Sequence, residues 1–242
     1  MAVLRAVFFD AAGTLFDTRR PVGQSYARLA REFGLEVSDA AVTNGFRRAF
    51  GNSPELAFGK GRSPTELRNL ERAWWKAVVA RTFEGLGVFP RFDDFFEALF
   101  AFFANPTNWQ LKPEATAALR RLKERGLGLG VISNFDSRLY RILETLELNP
   151  LFDSITISSE AGFAKPRREV FEVALARHRV RPAEALHVGD SVRLDFDAAA
   201  AVGMSAVLVD PGLDGPVCIE DRKARIRSLA YLKEVTQVLH SA

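Results

Sequence analysis

The chain has 242 residues, of which 48% are hydrophobic and 26% are charged, and this composition of a folded globular protein excludes general disorder. Its formal charge is +3. Residues 17–108 carry 13 basic and 11 acidic side chains, so neither this segment nor the rest of the chain has a large excess of positive charge. We therefore expect no nucleic-acid partner. With one cysteine, the chain can form neither an internal disulfide nor a multi-cysteine zinc site.

Four short apolar runs predict strands. They cover residues 3–9, 127–132, 185–188 and 205–209. Runs that are apolar on both faces are typical of strands buried in a parallel sheet. Asp10, Ser133 and Asp190 lie at the carboxyl ends of three runs, and ligands bind at these ends in such sheets.

Helical patterns separate the later runs. They cover residues 113–125, 168–178 and 196–201, and glycines close the first and third. Strands that alternate with helices predict an α/β fold with a doubly wound parallel sheet. The densest basic run, residues 222–227, is interpreted as the solvated face of a further helix.

Residues 17–108 break this alternation. They show helical periodicity and hold 12 of the 20 phenylalanines, with an apolar stripe over residues 92–103 that we interpret mainly as packing. We predict a helical insertion with its own core, and we assign Asp17 a structural role, with the cap of the first insertion helix as the candidate. The predicted division is therefore 1–16 and 109–242 for the α/β core and 17–108 for the insertion.

Two features concern location. Residues 1–10 lack the pattern of a signal peptide, and the longest uncharged apolar stretch, residues 198–209, is too short to span a bilayer. We therefore expect a cytoplasmic protein with no membrane partner.

Four segments place acidic, hydroxyl and lysine side chains after the predicted strands. They are FFDAAGTLFD at 8–17, VISN at 131–134, KP at 165–166 and GDSVRLD at 189–195. In this order they resemble the four motifs of the haloacid dehalogenase (HAD) superfamily. The resemblance implies a Rossmann-like core, and it implies that the insertion is the α-helical cap of subfamily IA. SNFDSRL at 133–139 is similar to the branch named after rhythmically expressed gene 2, also called HAD-like hydrolase domain-containing protein 3.

The resemblance also implies chemistry. Asp10 would be the nucleophile that forms an aspartyl-phosphate with a small phosphorylated molecule. Mg²⁺ would be held by Asp10, the main-chain carbonyl of Ala12, Asp190 and, through water, Asp195.

Other matching positions would bind the phosphoryl group. Lys165 would neutralise the nucleophile and the phosphoryl oxygens, which Thr14, the Ser133 hydroxyl and the backbone N–H groups of Ala11 to Gly13 would hold. Asn134 would orient Lys165 or contact the substrate. A monomer and a homodimer both remain open.

One position departs from the family's phosphatases. They place a second aspartate two residues after the nucleophile as general acid and base, and here that residue is Ala12. Loss of such a group typically slows turnover by ~10²–10⁴-fold. Three hypotheses about the function follow: a Mg²⁺-dependent phosphohydrolase, a metal-independent 2-haloacid dehalogenase, or a weakly active or inactive protein that binds a phosphorylated ligand. Asp190 and Asp195 favour the first, because paired carboxylates need a cation.

Overall fold

The computed structural model describes residues 3–59 and 61–241, and a seven-stranded sheet forms its centre. The strands, in chain order, are β1 (Ala6–Phe9), β2 (Phe16–Thr18), β3 (Trp109–Leu111), β4 (Gly128–Ser133), β5 (Ser154–Ile157), β6 (Ala185–Gly189), β7 (Ser205–Val209), β8 (Val217–Glu220) and β9 (Lys223–Ile226). The sheet order is β5-β4-β1-β6-β7-β9-β8, and every pair is parallel except β8 with β9.

Helices pack on both faces of this sheet and also form the insert described below. In chain order they are α1 (Val22–Glu32), α2 (Asp39–Gly51), α3 (Pro64–Thr82), α4 (Phe92–Ala104), α5 (Ala115–Glu124), α6 (Arg138–Thr145), α7 (Ser158–Ala161), α8 (Arg168–His178), α9 (Ala198–Val202) and α10 (Leu232–Ser241). Alternation along β1 separates two cores, because Val7 and Phe9 pack with α5, α6 and α10, whereas Ala6 and Phe8 pack with α8 and α9. The doubly wound α/β prediction is confirmed.

The helical insert consists of α1 to α4 and leaves the sheet through a two-stranded ribbon. In this ribbon β2 pairs antiparallel with β3, Phe16 opposite Leu111 and Thr18 opposite Trp109. Both predicted division points, 16/17 and 108/109, fall in the ribbon. The apolar stripe at residues 92–103 forms α4, which buries Phe95 and Phe96 inside the insert.

Two predictions are wrong. The basic run 222–227 is not helical: it contains β9, in which Ala224 and Ile226 are buried while Lys223 and Arg225 point outward. Asp17 does not cap a helix, because it lies in β2, pairs with Lys112 at 2.5 Å, and α1 begins without a side-chain cap. Within the described residues, no helix is both long and apolar enough to cross a membrane.

Candidate active site

The register of the central strands brings the predicted site residues to one edge. In β1, Phe9 lies opposite Val131 of β4 and Val188 of β6. The residues that follow, Asp10 and Asp190, and Ser133 at the end of β4, therefore meet at the carboxyl end of the sheet. The Asp10 N–H continues the β1–β6 pairing by donating to the Val188 carbonyl at 2.9 Å.

Lys165 reaches this edge from the loop between α7 and α8. Its ammonium lies 2.7 Å from Asp10 Oδ1 and 2.5 Å from Asp195 Oδ1, and only 4% of the residue is exposed. Burial opposes the charged form, but the two carboxylates outweigh it and raise the pKa of Lys165. The lysine is therefore a fixed positive charge beside the predicted nucleophile.

Asn134 fixes the backbone of Lys165. Its Oδ1 accepts from the Lys165 N–H at 2.7 Å, and its Nδ2 donates to the Lys165 carbonyl at 2.9 Å. These two hydrogen bonds fit the predicted role of Asn134 in orienting Lys165, and a contact with the substrate stays a prediction.

Asp195 is held on both carboxylate oxygens. Oδ1 accepts from Lys165 and from His187 Nε2 at 2.9 Å, and Oδ2 accepts from the Ser191 N–H at 3.1 Å, within the π-helical turn Val192–Asp197 and its cap. The lysine keeps the pKa of Asp195 below its usual range despite burial. With its oxygens engaged, Asp195 suits contact with a cation through water, as the resemblance to the HAD superfamily implies.

His187 of β6 belongs to this cluster, although none of the four sequence motifs includes it. It is buried, its Nε2 faces Asp195, and Nδ1 has no hydrogen-bond partner among the described residues. Because a carboxylate only accepts, we assign the ring proton to Nε2. A polar residue in an otherwise apolar strand was the one signal in the sequence.

Two glycines leave room for the carboxylates of Asp190 and Asp195 to lie against the backbone. Gly13 has φ +96°, and a Cβ on it would lie 2.5 Å from Asp190 Oδ2. A Cβ on Gly189 would lie 2.2 Å from Asp195 Cγ. Neither position tolerates a side chain in this arrangement.

Two predicted phosphoryl contacts have other partners in this structure. The Gly13 N–H donates to the Phe16 carbonyl at 2.8 Å, so it closes the turn after β1 instead of facing a ligand. The Thr14 hydroxyl donates to Asp190 Oδ1 at 3.0 Å and so positions a carboxylate. The adjacent Ala11 accepts from Leu15 N–H, while Ser133 is buried beside this turn at the end of β4.

The carboxylates fit a divalent cation. One oxygen from each of Asp10, Asp190 and Asp195 lies within 4.8 Å of the others. Three carboxylates face one lysine, and burial together with the Asp10 charge raises the pKa of Asp190 to about 6. Hard oxygen donors and excess negative charge are what Mg²⁺ requires. Ala12 can add only its main-chain carbonyl.

Comparison with known proteins agrees with this geometry. Residues 4–203 match the family model described as haloacid dehalogenase-like hydrolase. The chain belongs to this family.

Curated relatives agree with the predicted branch. This HAD-like hydrolase is 38% identical over 216 residues to haloacid dehalogenase-like hydrolase domain-containing protein 3 of Mus musculus, covering 85% of this chain and 82% of that protein. It is 28% identical over 218 residues to the rhythmically expressed gene 2 protein of Drosophila melanogaster, with 85% and 82% covered. A solved structure, HAD-hydrolase YfnB from Bacillus subtilis bound to magnesium, superposes with a TM-score of 0.73 at 18% identity, covering 98% of this chain and 100% of that one.

In this HAD-like hydrolase the helical insert is fastened to the core beside the site. Glu71 of α3 is buried and accepts from both the backbone N–H and the hydroxyl of Ser137, and Trp75 Nε1 donates to Asp136 Oδ2 at 2.6 Å. Burial raises the pKa of Glu71 above its ordinary value. The segment after β4 that resembles the branch motif thus anchors α3.

A second contact joins the insert to α7. The Ser158 hydroxyl donates to the Leu56 carbonyl at 2.7 Å, and the Phe58 N–H donates to the Ser159 carbonyl at 3.3 Å. The backbones approach so closely that a Cβ on Gly162 would lie 2.6 Å from Gly59 Cα. The insert therefore covers the carboxyl edge of the sheet from two anchor points.

Proposed function

We propose that this protein is a Mg²⁺-dependent phosphohydrolase that acts on a small phosphorylated molecule through an aspartyl-phosphate on Asp10. The observation that carries the proposal is the buried contact of Lys165 with Asp10 and Asp195, with Asp190 completing a carboxylate cluster. A nucleophile beside a fixed positive charge and a cation site suits attack on an anionic phosphoryl group.

Each residue then has a defined task. The Asp10 carboxylate forms the new O–P bond while the bond from phosphorus to the leaving oxygen breaks. Water then attacks phosphorus, the bond from phosphorus to the Asp10 oxygen breaks, and phosphate is released. Lys165 holds Asp10 in place and offsets its charge as the phosphoryl group approaches. When bound, Mg²⁺ would be held by Asp10, Asp190 and the Ala12 carbonyl, and it supplies positive charge toward the phosphoryl oxygens.

Ala12 limits which leaving groups depart. Its methyl group cannot protonate a leaving alkoxide, so alkyl phosphates should react slowly. Aryl and acyl phosphates leave as stabilised anions and need no such proton. The small phosphorylated substrate is therefore expected to have a good leaving group, or to supply the proton itself.

The second candidate is metal-independent dehalogenation of a 2-haloacid. Ala12 favours it, because halide leaves without a proton. The carboxylate cluster opposes it, since three carboxylates would face a single lysine in a metal-free site. We therefore rank phosphohydrolysis first.

One experiment separates the candidates. Phosphate release from para-nitrophenyl phosphate and acetyl phosphate is measured with Mg²⁺ and with EDTA, beside halide release from a 2-haloacid. We expect Mg²⁺-dependent phosphate release that Asp10→Asn abolishes and that Asp17→Asn, a change to a half-buried carboxylate paired with Lys112, leaves intact. Halide release in EDTA would establish the dehalogenase instead. Ligand-induced thermal stabilisation without any product would identify a binding protein.

A further inference from the structure

An apolar cavity of about 90 Å³ lies between the helical insert and the core. Aromatic side chains from both sides form its walls, among them Phe46, Trp75, Phe100, Phe103 and Phe135. Apolar walls of this kind suit the organic part of a small ligand.

Tyr26 of α1 contributes a hydroxyl-bearing ring to the wall of this cavity. The residue is 2% exposed, and its ring packs against Phe46 and Phe103 with centroids 5.2 and 5.6 Å apart. Among the residues that the structure describes, none hydrogen-bonds to the Tyr26 hydroxyl. This hydroxyl is therefore available to donate to an acceptor on a ligand in the cavity.

A second donor lies in the same wall. Arg138 uses Nε and Nη2 to bind Asp136, at 2.9 and 2.5 Å, while its guanidinium lies over Phe100 at 4.4 Å and Trp75 at 5.1 Å from the ring centroids. Its Nη1 meets no acceptor in the described part of the chain. Because Asp136 already neutralises the arginine, a neutral oxygen suits this donor better than a carboxylate.

One residue of the cavity wall follows the predicted site residues along the chain. Phe135 directly follows Asn134 and stands two residues after Ser133. We therefore place the organic part of a substrate whose phosphoryl group faces Asp10 on the Phe135 side of the site, toward the cavity.

We propose that this cavity binds the leaving-group end of the substrate, a short apolar chain that carries one neutral oxygen acceptor, such as a ketone. The oxygen accepts from the Tyr26 hydroxyl and Arg138 Nη1. Liquid water occupies about 30 Å³ per molecule, so the volume admits roughly three to five non-hydrogen atoms. Sugar phosphates fit poorly, since their many hydroxyls would face aromatic walls. This inference rests on the proposed function.

Matched acyl phosphates test the proposal. Acetyl, pentanoyl, succinyl and 4-oxopentanoyl phosphate differ at the far end of the acyl group while keeping the same reacting bond. We expect the highest kcat/KM for 4-oxopentanoyl phosphate, and Tyr26→Phe should lower that value roughly 5- to 10-fold, as expected for one lost hydrogen bond, without affecting pentanoyl phosphate. Tyr140→Phe, whose hydroxyl bonds Glu160 outside the cavity, is the matched control.

Binding of pentan-2-one separates this inference from the phosphohydrolase proposal, because the probe has no phosphoryl group. Saturation-transfer NMR should detect it on the wild-type protein and on Tyr140→Phe, and more weakly on Tyr26→Phe. Tyr26-dependent ketone binding without turnover of any phosphate would refute the phosphohydrolase and retain the cavity. Equal kcat/KM values for the four acyl phosphates would overturn the assignment of the cavity. The same holds if pentan-2-one does not bind, or if it binds equally well to Tyr26→Phe.

Discussion

The ammonium of Lys165 lies 2.7 Å from Asp10 Oδ1, in a site where the lysine is almost fully buried. The same ammonium contacts Asp195, so one cation holds together Asp10, the proposed nucleophile, and the turn after β6. Under the proposed function, catalysis and stability are therefore coupled at this contact, since each carboxylate loses its partner when the lysine is removed.

Replacing Lys165 with Met should destabilise the fold. The change leaves Asp10 and Asp195 buried without their shared cation, and breaking a buried pair this way typically costs about 3–5 kcal/mol. Mg²⁺ should restore more of the unfolding free energy in the variant than in the wild-type protein, because it offsets the same charges. Urea unfolding with and without Mg²⁺ measures both effects. Lys112→Met, which breaks the more exposed pair with Asp17, should cost no more than about 1 kcal/mol. Equal losses in the two variants would contradict this account.

Ala12→Asp should create activity toward alkyl phosphates. A carboxyl at this position can protonate the leaving alkoxide, and such a group typically contributes ~10²–10⁴-fold. The gain should be smaller for acetyl phosphate, because its leaving carboxylate needs no proton and the new carboxylate would help only as a base in the attack of water on the aspartyl-phosphate. Ala12→Asn is the control, because it adds nearly the same volume without a transferable proton. Equal rates for the two variants on an alkyl phosphate would show that proton transfer does not limit the reaction.

The fold follows from the sequence wherever apolar patterning is strong. The buried strands β1, β4, β6 and β7 fall within the predicted runs or within one residue of them, and α8 spans 168–178 as predicted. The convergence of Asp10, Ser133 and Asp190 follows from the geometry of parallel sheets. Strand β9 was not predicted, because only Ala224 and Ile226 mark its period-two alternation and they lie between basic residues. This is a weak signal near the edge of a sheet.

Tertiary partners are what local patterns cannot supply. Nothing near His187 in the sequence shows that Asp195, eight residues away, will accept a hydrogen bond from it, because that contact needs the π-helical turn. Glu71 resembles a surface residue of an amphipathic helix until α3 meets Ser137, 66 residues further along the chain. The motifs locate the chemistry, but not the residues that hold it in place.

His187→Phe tests whether the histidine positions Asp195. The variant keeps an aromatic ring in the core and removes the donor at 2.9 Å from Asp195 Oδ1. We expect kcat for acetyl phosphate to fall roughly 10-fold, with KM little changed, because the substrate itself does not touch His187. His187→Gln, which retains an N–H donor, should recover part of the rate. A matched loss in Phe and Gln variants would mean that the histidine acts only by filling space.

Glu71 should make the anchoring of the helical insert pH-dependent. Burial raises its folded-state pKa above the ordinary value of 4.5, although the Ser137 and Ser159 hydroxyls offset part of this shift. Between the unfolded and folded pKa values the folded protein therefore binds more protons, so this residue's contribution to stability declines as pH rises through that interval. Glu71→Gln removes this pH-dependent contribution. The free energy of unfolding of the variant, relative to that of the wild-type protein, should therefore increase as pH rises between the unfolded and folded pKa values of Glu71.

Glu66 on the same helix provides a control of opposite sign. It is exposed, and its hydrogen bonds to the Ser63 side chain and backbone lower its pKa. Its contribution is therefore present above its unfolded pKa and lost as pH falls, so Glu66→Gln should lose stability relative to wild type as pH rises through the acidic range. Urea unfolding of the three proteins at a series of pH values checks the signs. Parallel pH profiles for the two variants would show that burial at the contact with Ser137 does not govern Glu71.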